Sequence, residues 1–133
     1  MKGTIILPIT YNVFSGIQLE NDIRFTLEGI PNNPQLKAAG QMITDSESFA
    51  FIYLLEDEAG YHYLKFGQEV WPLLVNTLKA VDDPSVQIGE KELTLHGFKD
   101  ELNMLIFNIE GNDNYGANFT RAVEDTFSEI LQA

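Results

Sequence analysis

His62 and His96 are the only imidazoles in this 133-residue chain, and it contains no cysteine. An imidazole can act as a general base or bind a metal. A zinc site built on this pair would need both rings to meet two carboxylates. Each histidine falls in a strand-like segment and no ligand spacing surrounds either, so neither a metal nor a catalytic base is expected. Without cysteine there are no disulfides, no thiolate ligands and no thiol nucleophile.

The remaining polar groups carry no clearer chemistry. Glu56-Asp57-Glu58 is acidic, but a calcium loop alternates its ligands to gather about six to eight oxygens. Three consecutive acids point in different directions and read as a solvated hairpin tip. Asp45-Ser46 has no adjacent base and reads as turn chemistry. Asn112-Asp113-Asn114-Tyr115-Gly116 is dense in residues that bond their own backbone, so helix capping is its first reading. Tyr115 is left over, to pack on the junction or present its phenol to a partner. Trp71 lies one residue off a helical apolar stripe, where it would edge the core or anchor an interface. No nucleophile elbow, phosphate loop, dinucleotide fingerprint or zinc-protease motif occurs. The expectation is therefore no catalytic residue and no cofactor. The candidate interaction surface is Tyr61, Tyr63, Trp71, Asn112, Asn114 and Tyr115.

Elements must position these residues. Thr4–Thr10 and Val13–Leu19 have strand texture, and Glu20-Asn21-Asp22 is a turn. Ile23, Phe25 and Leu27 alternate with polar residues, the period of a half-buried strand. Gly29–Pro34 reads as loop. Ala39–Thr44 should pair with Phe49–Leu55, which pairs with Tyr61–Phe66 across the acidic turn. Tyr61, Tyr63 and Lys65 would share one face, and His62, Leu64 and Phe66 the other. Glu69–Val81 carries apolar residues at helical spacing, with Pro72 tolerated in the first turn. Val86 to His96 suggests a short strand or hairpin. Phe98–Ile109 and Phe119–Leu131 are amphipathic helices, with Gly111 closing the first and Asn114 expected to cap the second. Strands first and helices last imply an α+β fold. The expected architecture is a single antiparallel sheet from the N-terminal two-thirds, covered by about three helices, two of them C-terminal. With no repeat or linker, 1–133 is expected to be one domain.

Eight basic and twenty acidic residues give a net charge of −12. The imbalance is regional: residues 1–42 are neutral, 43–98 carry −7 and 99–133 carry −5. Such a chain repels phosphate and anionic lipid, which argues against nucleic-acid and membrane partners. The N-terminal apolar run is broken by Pro8 and is too short for a signal peptide. A cytoplasmic protein is expected.

Three stretches carry a resemblance: Gly40-Gln41-Met42-Ile43-Thr44-Asp45-Ser46-Glu47-Ser48-Phe49-Ala50-Phe51, Glu69-Val70-Trp71, and Asn108 to Gly116 with Ala122-Val123-Glu124. Over roughly residues 38–129 the chain resembles uncharacterised protein family 0738 of Bacillus- and Staphylococcus-like bacteria. It departs mildly at Ile43-Thr44, where Leu-Val is usual, and at Glu47, where Asp is usual. The first 35 residues match only in strand-like texture. The resemblance implies a cytoplasmic bacterial protein and transfers no functional residue.

The reading that emerges is a non-enzymatic cytoplasmic binding or adaptor protein engaging a protein partner through its acidic surface or a sheet edge. Homodimerisation through that edge is a further expectation. The alternative is a small-molecule pocket between sheet and helices, lined by Tyr53, Tyr61, Tyr63 and Trp71. The sequence leans away from an enzyme without excluding one built on paired carboxylates, which need no motif.

Overall fold

The structure, a computed structural model, describes residues 7–29 and 35–132. The strand expected at Thr4–Thr10 lies partly, and the loop at Gly29–Pro34 almost wholly, outside them. The described strands are β1 (Thr10–Gln18), β2 (Ile23–Leu27), β3 (Lys37–Asp45), β4 (Ala50–Asp57), β5 (Gly60–Gly67), β6 (Ser85–Ile88) and β7 (Lys91–Thr94). The helices are α1 (Trp71–Lys79), α2 (Phe98–Ile109), α3 (Ala117–Thr126) and α4 (Ser128–Leu131).

All seven strands join one sheet in the order β3-β4-β5-β1-β2-β6-β7. The expected β3–β4–β5 meander is present, with Tyr53 opposite Met42 on one side and Leu64 on the other. The sheet is mixed rather than antiparallel, which corrects the expectation. β1 runs parallel to β5, Tyr11 opposite Leu64, and β2 runs parallel to β6, Phe25 opposite Val86. The β1–β2 hairpin is inserted between β5 and β6, and α1 carries the chain across it. Each parallel pair joins strands far apart in sequence, the long connection that parallel pairing needs and a tight turn cannot give. Side-chain alternation marks a strand but not its neighbour.

The inner face of the sheet and the helices share one apolar core. Phe51, Trp71, Phe119 and Phe127 form one aromatic group, with Phe51–Trp71 centroids 5.3 Å apart. Phe98 gathers Phe25, Phe66 and Tyr53 into a second, and stacks on Tyr53 at 5.6 Å. Such pairs add about 0.5–1.5 kcal/mol each beyond area burial. Trp71 belongs wholly to this core: it is 0 % exposed and its Nε1–H donates to the Phe66 carbonyl. The reason is phase. A turn of 3₁₀ helix at Gln68–Val70 precedes α1, and its tighter winding brings Val70 and Trp71 inward together. The last helix is also not continuous. It breaks at Phe127, whose ring is buried against Phe51 and Trp71.

The two ends of the sheet curl toward each other. Tyr53 Oη accepts the Gly40 N–H at 3.1 Å and donates to the His96 carbonyl at 2.6 Å. His96 Nε2 donates to the Ala38 carbonyl at 3.0 Å. β3 slips register between Ala38 and Met42, and Gly40 sits there at φ +74° against Gly97 at φ +75°. A Cβ on Gly40 would lie 2.8 Å from His96 Cε1, so close approach and left-handed backbone both call for glycine. Next along the edge, Glu101 of α2 accepts the Met42 N–H at 3.0 Å.

Among the described residues no helix is long and apolar enough to cross a membrane.

Candidate functional site

The residues singled out from sequence do not converge. Tyr61 is 49 % exposed on the outer face of β5, and Tyr63 is half-buried on that same face. Tyr53 and Trp71, expected to line a pocket with them, are fully buried on the inner side and packed by Phe98 and Phe51. The space between sheet and helices at these residues is therefore filled, and Trp71 presents nothing to a partner.

Asn112, Asn114 and Tyr115 sit at the corner between α2 and α3, where capping chemistry accounts for most of the motif. Gly111 turns the chain at φ +69°, and its N–H donates to Glu124 of α3 at 2.7 Å. Asn112 Oδ1 accepts the Asn114 N–H at 3.1 Å and opens a 3₁₀ turn at Asp113–Tyr115. Asn112, not Asn114, is thus the capping side chain, because that turn intervenes before α3 begins behind Gly116. Thr120 Oγ1 donates to the Asn112 carbonyl at 2.8 Å. Tyr115 packs half-buried against the core. Asp45 is a turn residue as expected: its carboxylate accepts the Ser48 hydroxyl and N–H, and the hydroxyl foremost holds its pKa below the ordinary value.

Both histidines are committed to the fold. His96 fastens β3, as described. His62 is 2 % exposed, donates from Nε2 to Asp57 Oδ2 at 2.9 Å, and accepts the Ile9 N–H on Nδ1 at 3.0 Å. Asp57 also accepts the Ala59 N–H at 2.8 Å, closing the two-residue β4–β5 turn. A general base needs one ring nitrogen facing substrate, and both nitrogens of His62 face the protein.

A polar groove lies at the far end of β1. The β1–β2 turn forms one wall, with Leu19 43 % exposed. The connection from α1 to β6 forms the other, with Val81 73 % exposed. The groove continues into a cavity of about 420 Å³ lined by Asp22, Asp82, Asp83, Ser85, Glu92 and Thr94. Two of its carboxylates are already engaged. Asp83 accepts the Gly97 and Lys99 N–H groups at 3.1 and 3.0 Å, capping α2 from a distance. Glu92 accepts the Ser85 hydroxyl at 2.6 Å and pairs with Arg24 at 3.1 Å. Those hydrogen bonds, Ser85 first, hold its carboxyl below the usual pKa. Among the described residues no group of three or more ligating side chains is placed to hold a metal ion.

Similarity to known proteins spans most of the chain. A family model described as a family of unknown function, UPF0738, matches residues 11–127. The chain belongs to UPF0738. A UPF0738 protein of Lysinibacillus sphaericus is 47 % identical over 112 residues, covering 84 % of this chain and 88 % of the relative. One from Bacillus licheniformis is 38 % identical, covering 82 % and 90 %, and one from Staphylococcus saprophyticus is 38 % identical, covering 80 % and 93 %. No solved structure matches the chain significantly. The UPF0738 match begins at Tyr11, so it takes in β1 and β2, where the sequence resemblance rests on texture alone.

Sequence reasoning missed the groove because its carboxylates, at 22, 82, 83 and 92, are scattered along the chain. The β2–β6 and β6–β7 pairings bring them together. The Asp57–His62 contact did leave a signal. A two-residue turn between Asp57 and Gly60 fixes the register, and with it the distance between the two side chains.

Proposed function

We propose that this UPF0738 member is a non-enzymatic cytoplasmic binding protein, and that it engages a basic segment of a protein partner. The observation that carries the reading is the groove of Leu19 and Val81, apolar and exposed, bordered by Glu20, Asp22 and Asp82 in a chain of net charge −12. Apolar surface supplies affinity, and the acidic border, where Lys79 is paired with Glu129 and Lys99 is held by the Ala80 and Val81 carbonyls, steers an oppositely charged partner. The engagement of both histidines in structural hydrogen bonds supports a binding role over acid–base chemistry at these residues. Among the described strands, a homodimer through a sheet edge would use the four-residue β7, since the β3 N–H groups of Gly40 and Met42 are taken.

Affinity capture from a bacterium that carries the protein tests the reading. The expected result is a stoichiometric basic partner that elutes with rising salt. Its retention should be lost on combining Asp22→Lys with Asp82→Lys and kept with Glu58→Lys at the opposite end of β1. Retention indifferent to salt and to the paired reversal would overturn the proposal.

A further inference from the structure

We propose that His62 is a proton-operated latch on the lead-in to β1: its unprotonated Nδ1 holds the Ile9 N–H, and a second proton on the ring releases it. The site lies at the opposite end of β1 from the groove and does not depend on the binding role.

Geometry sets the tautomer. Nε2 faces a carboxylate oxygen at 2.9 Å, so it carries the hydrogen. Nδ1 faces an N–H at 3.0 Å, so it carries the lone pair. A backbone N–H has no other role than donor. When the ring takes a second proton, Nδ1–H points at Ile9 N–H and two donors confront each other. The imidazolium is the less free to move: it is almost wholly buried, and its bond to Asp57 gains full charge on both sides. Ile9 is 50 % exposed and can swing into solvent. Its carbonyl still accepts the Tyr63 N–H at 2.9 Å, so the release is local.

Asp57, at the end of β4, is a carboxylate in direct contact with the ring. Leu55 lies directly opposite on β4 and is apolar. Tyr11 of β1 faces the pair. Burial and then the Asp57 charge raise its phenol pKa, so it stays neutral and leaves the field to the carboxylate. Glu56 is cross-strand from Tyr61 and from Lys37 on the outer face, and Glu58 is exposed at the turn.

Nitrogen-detected NMR on the full chain, titrated downward from neutral pH, reads ring and amide together. The expected tautomer is Nε2–H. Once His62 is doubly protonated, the exchange of the Ile9 amide, corrected for intrinsic rate, should rise roughly tenfold, the factor for one lost hydrogen bond. Tyr63 should stay protected. Asp57→Asn, which gives Nε2 a neutral partner in place of the carboxylate, should weaken the Nε2–H preference read from the ring nitrogen shifts. His62→Asn, whose amide oxygen accepts but does not titrate, should hold Ile9 at all pH values tested. An Nδ1–H tautomer, Ile9 protection that ignores the ring's titration, or Ile9 and Tyr63 opening together would each overturn the proposal. So would a tautomer preference unmoved by Asp57→Asn, and that arm remains decisive if His62→Asn fails to fold.

Discussion

Tyr53 holds the curl of the sheet through a single oxygen, which receives one hydrogen bond and gives another. Tyr53→Phe leaves the Gly40 N–H and His96 carbonyl without that partner and should cost about 2 kcal/mol in urea unfolding. Burial pushes the phenol up to about 12. The folded state therefore keeps its proton where the unfolded chain, near the ordinary value of 10.0, gives it up. The contribution is complete below pH about 10 and is lost as pH rises toward about 12. The urea midpoint should fall across that interval, and less steeply in Tyr53→Phe. Glu92 carries the opposite sign. With its pKa lowered, its contribution is present above the ordinary carboxylate range and is lost as pH falls through the lowered value. Glu92→Gln should flatten that acid limb. None of this was legible from residue type. His62, Tyr53 and Trp71 were each visible as chemistry-bearing side chains. Whether each faced core or solvent depended on winding and register, and a single 3₁₀ turn was enough to reverse the expectation for Trp71.

The α2–α3 corner shows what an element junction requires. Gly111 is left-handed, and a Cβ there would meet nothing within 4 Å, so Gly111→Ala costs backbone strain rather than a clash, about 1 kcal/mol. Gly40→Ala should cost more, since strain there adds to the approach of His96. Thermal unfolding of the two variants side by side should show that ranking, and equal losses would count against it. Elements with strong local signals were readable: β2, the β3–β4–β5 meander, α1, α2 and the glycine that closes α2. Phe49 was not. It reads as the first residue of a strand, yet it turns the chain at φ +52° with its ring against Phe119. The strand begins one residue later. Tertiary packing by an aromatic ring offset a backbone preference that local sequence alone would have respected.

For the whole molecule the net charge of −12 works against compaction. Raising ionic strength screens that repulsion, so the melting temperature should climb by a few degrees between low salt and about 0.5 M sodium chloride. A flat response would mean that acids and bases are already balanced locally. Composition made this global property legible, but it said nothing of strand order, which is a matter of which distant segments meet.

That order has a consequence for how the chain becomes ordered in time. β1 is synthesised first of the described strands, yet it occupies the middle of the sheet, between β5 and β2. Until residue 67 has left the ribosome, one whole side of β1 has no strand to pair with, and β2 must wait for β6. The earliest hairpin is therefore a two-stranded fragment, marginal by itself. Closure of long intervals before native pairing slows folding, so refolding from urea should take milliseconds to seconds rather than microseconds. Trp71, the single tryptophan, is seated where these late contacts come together. Its fluorescence in a stopped-flow experiment is the natural clock.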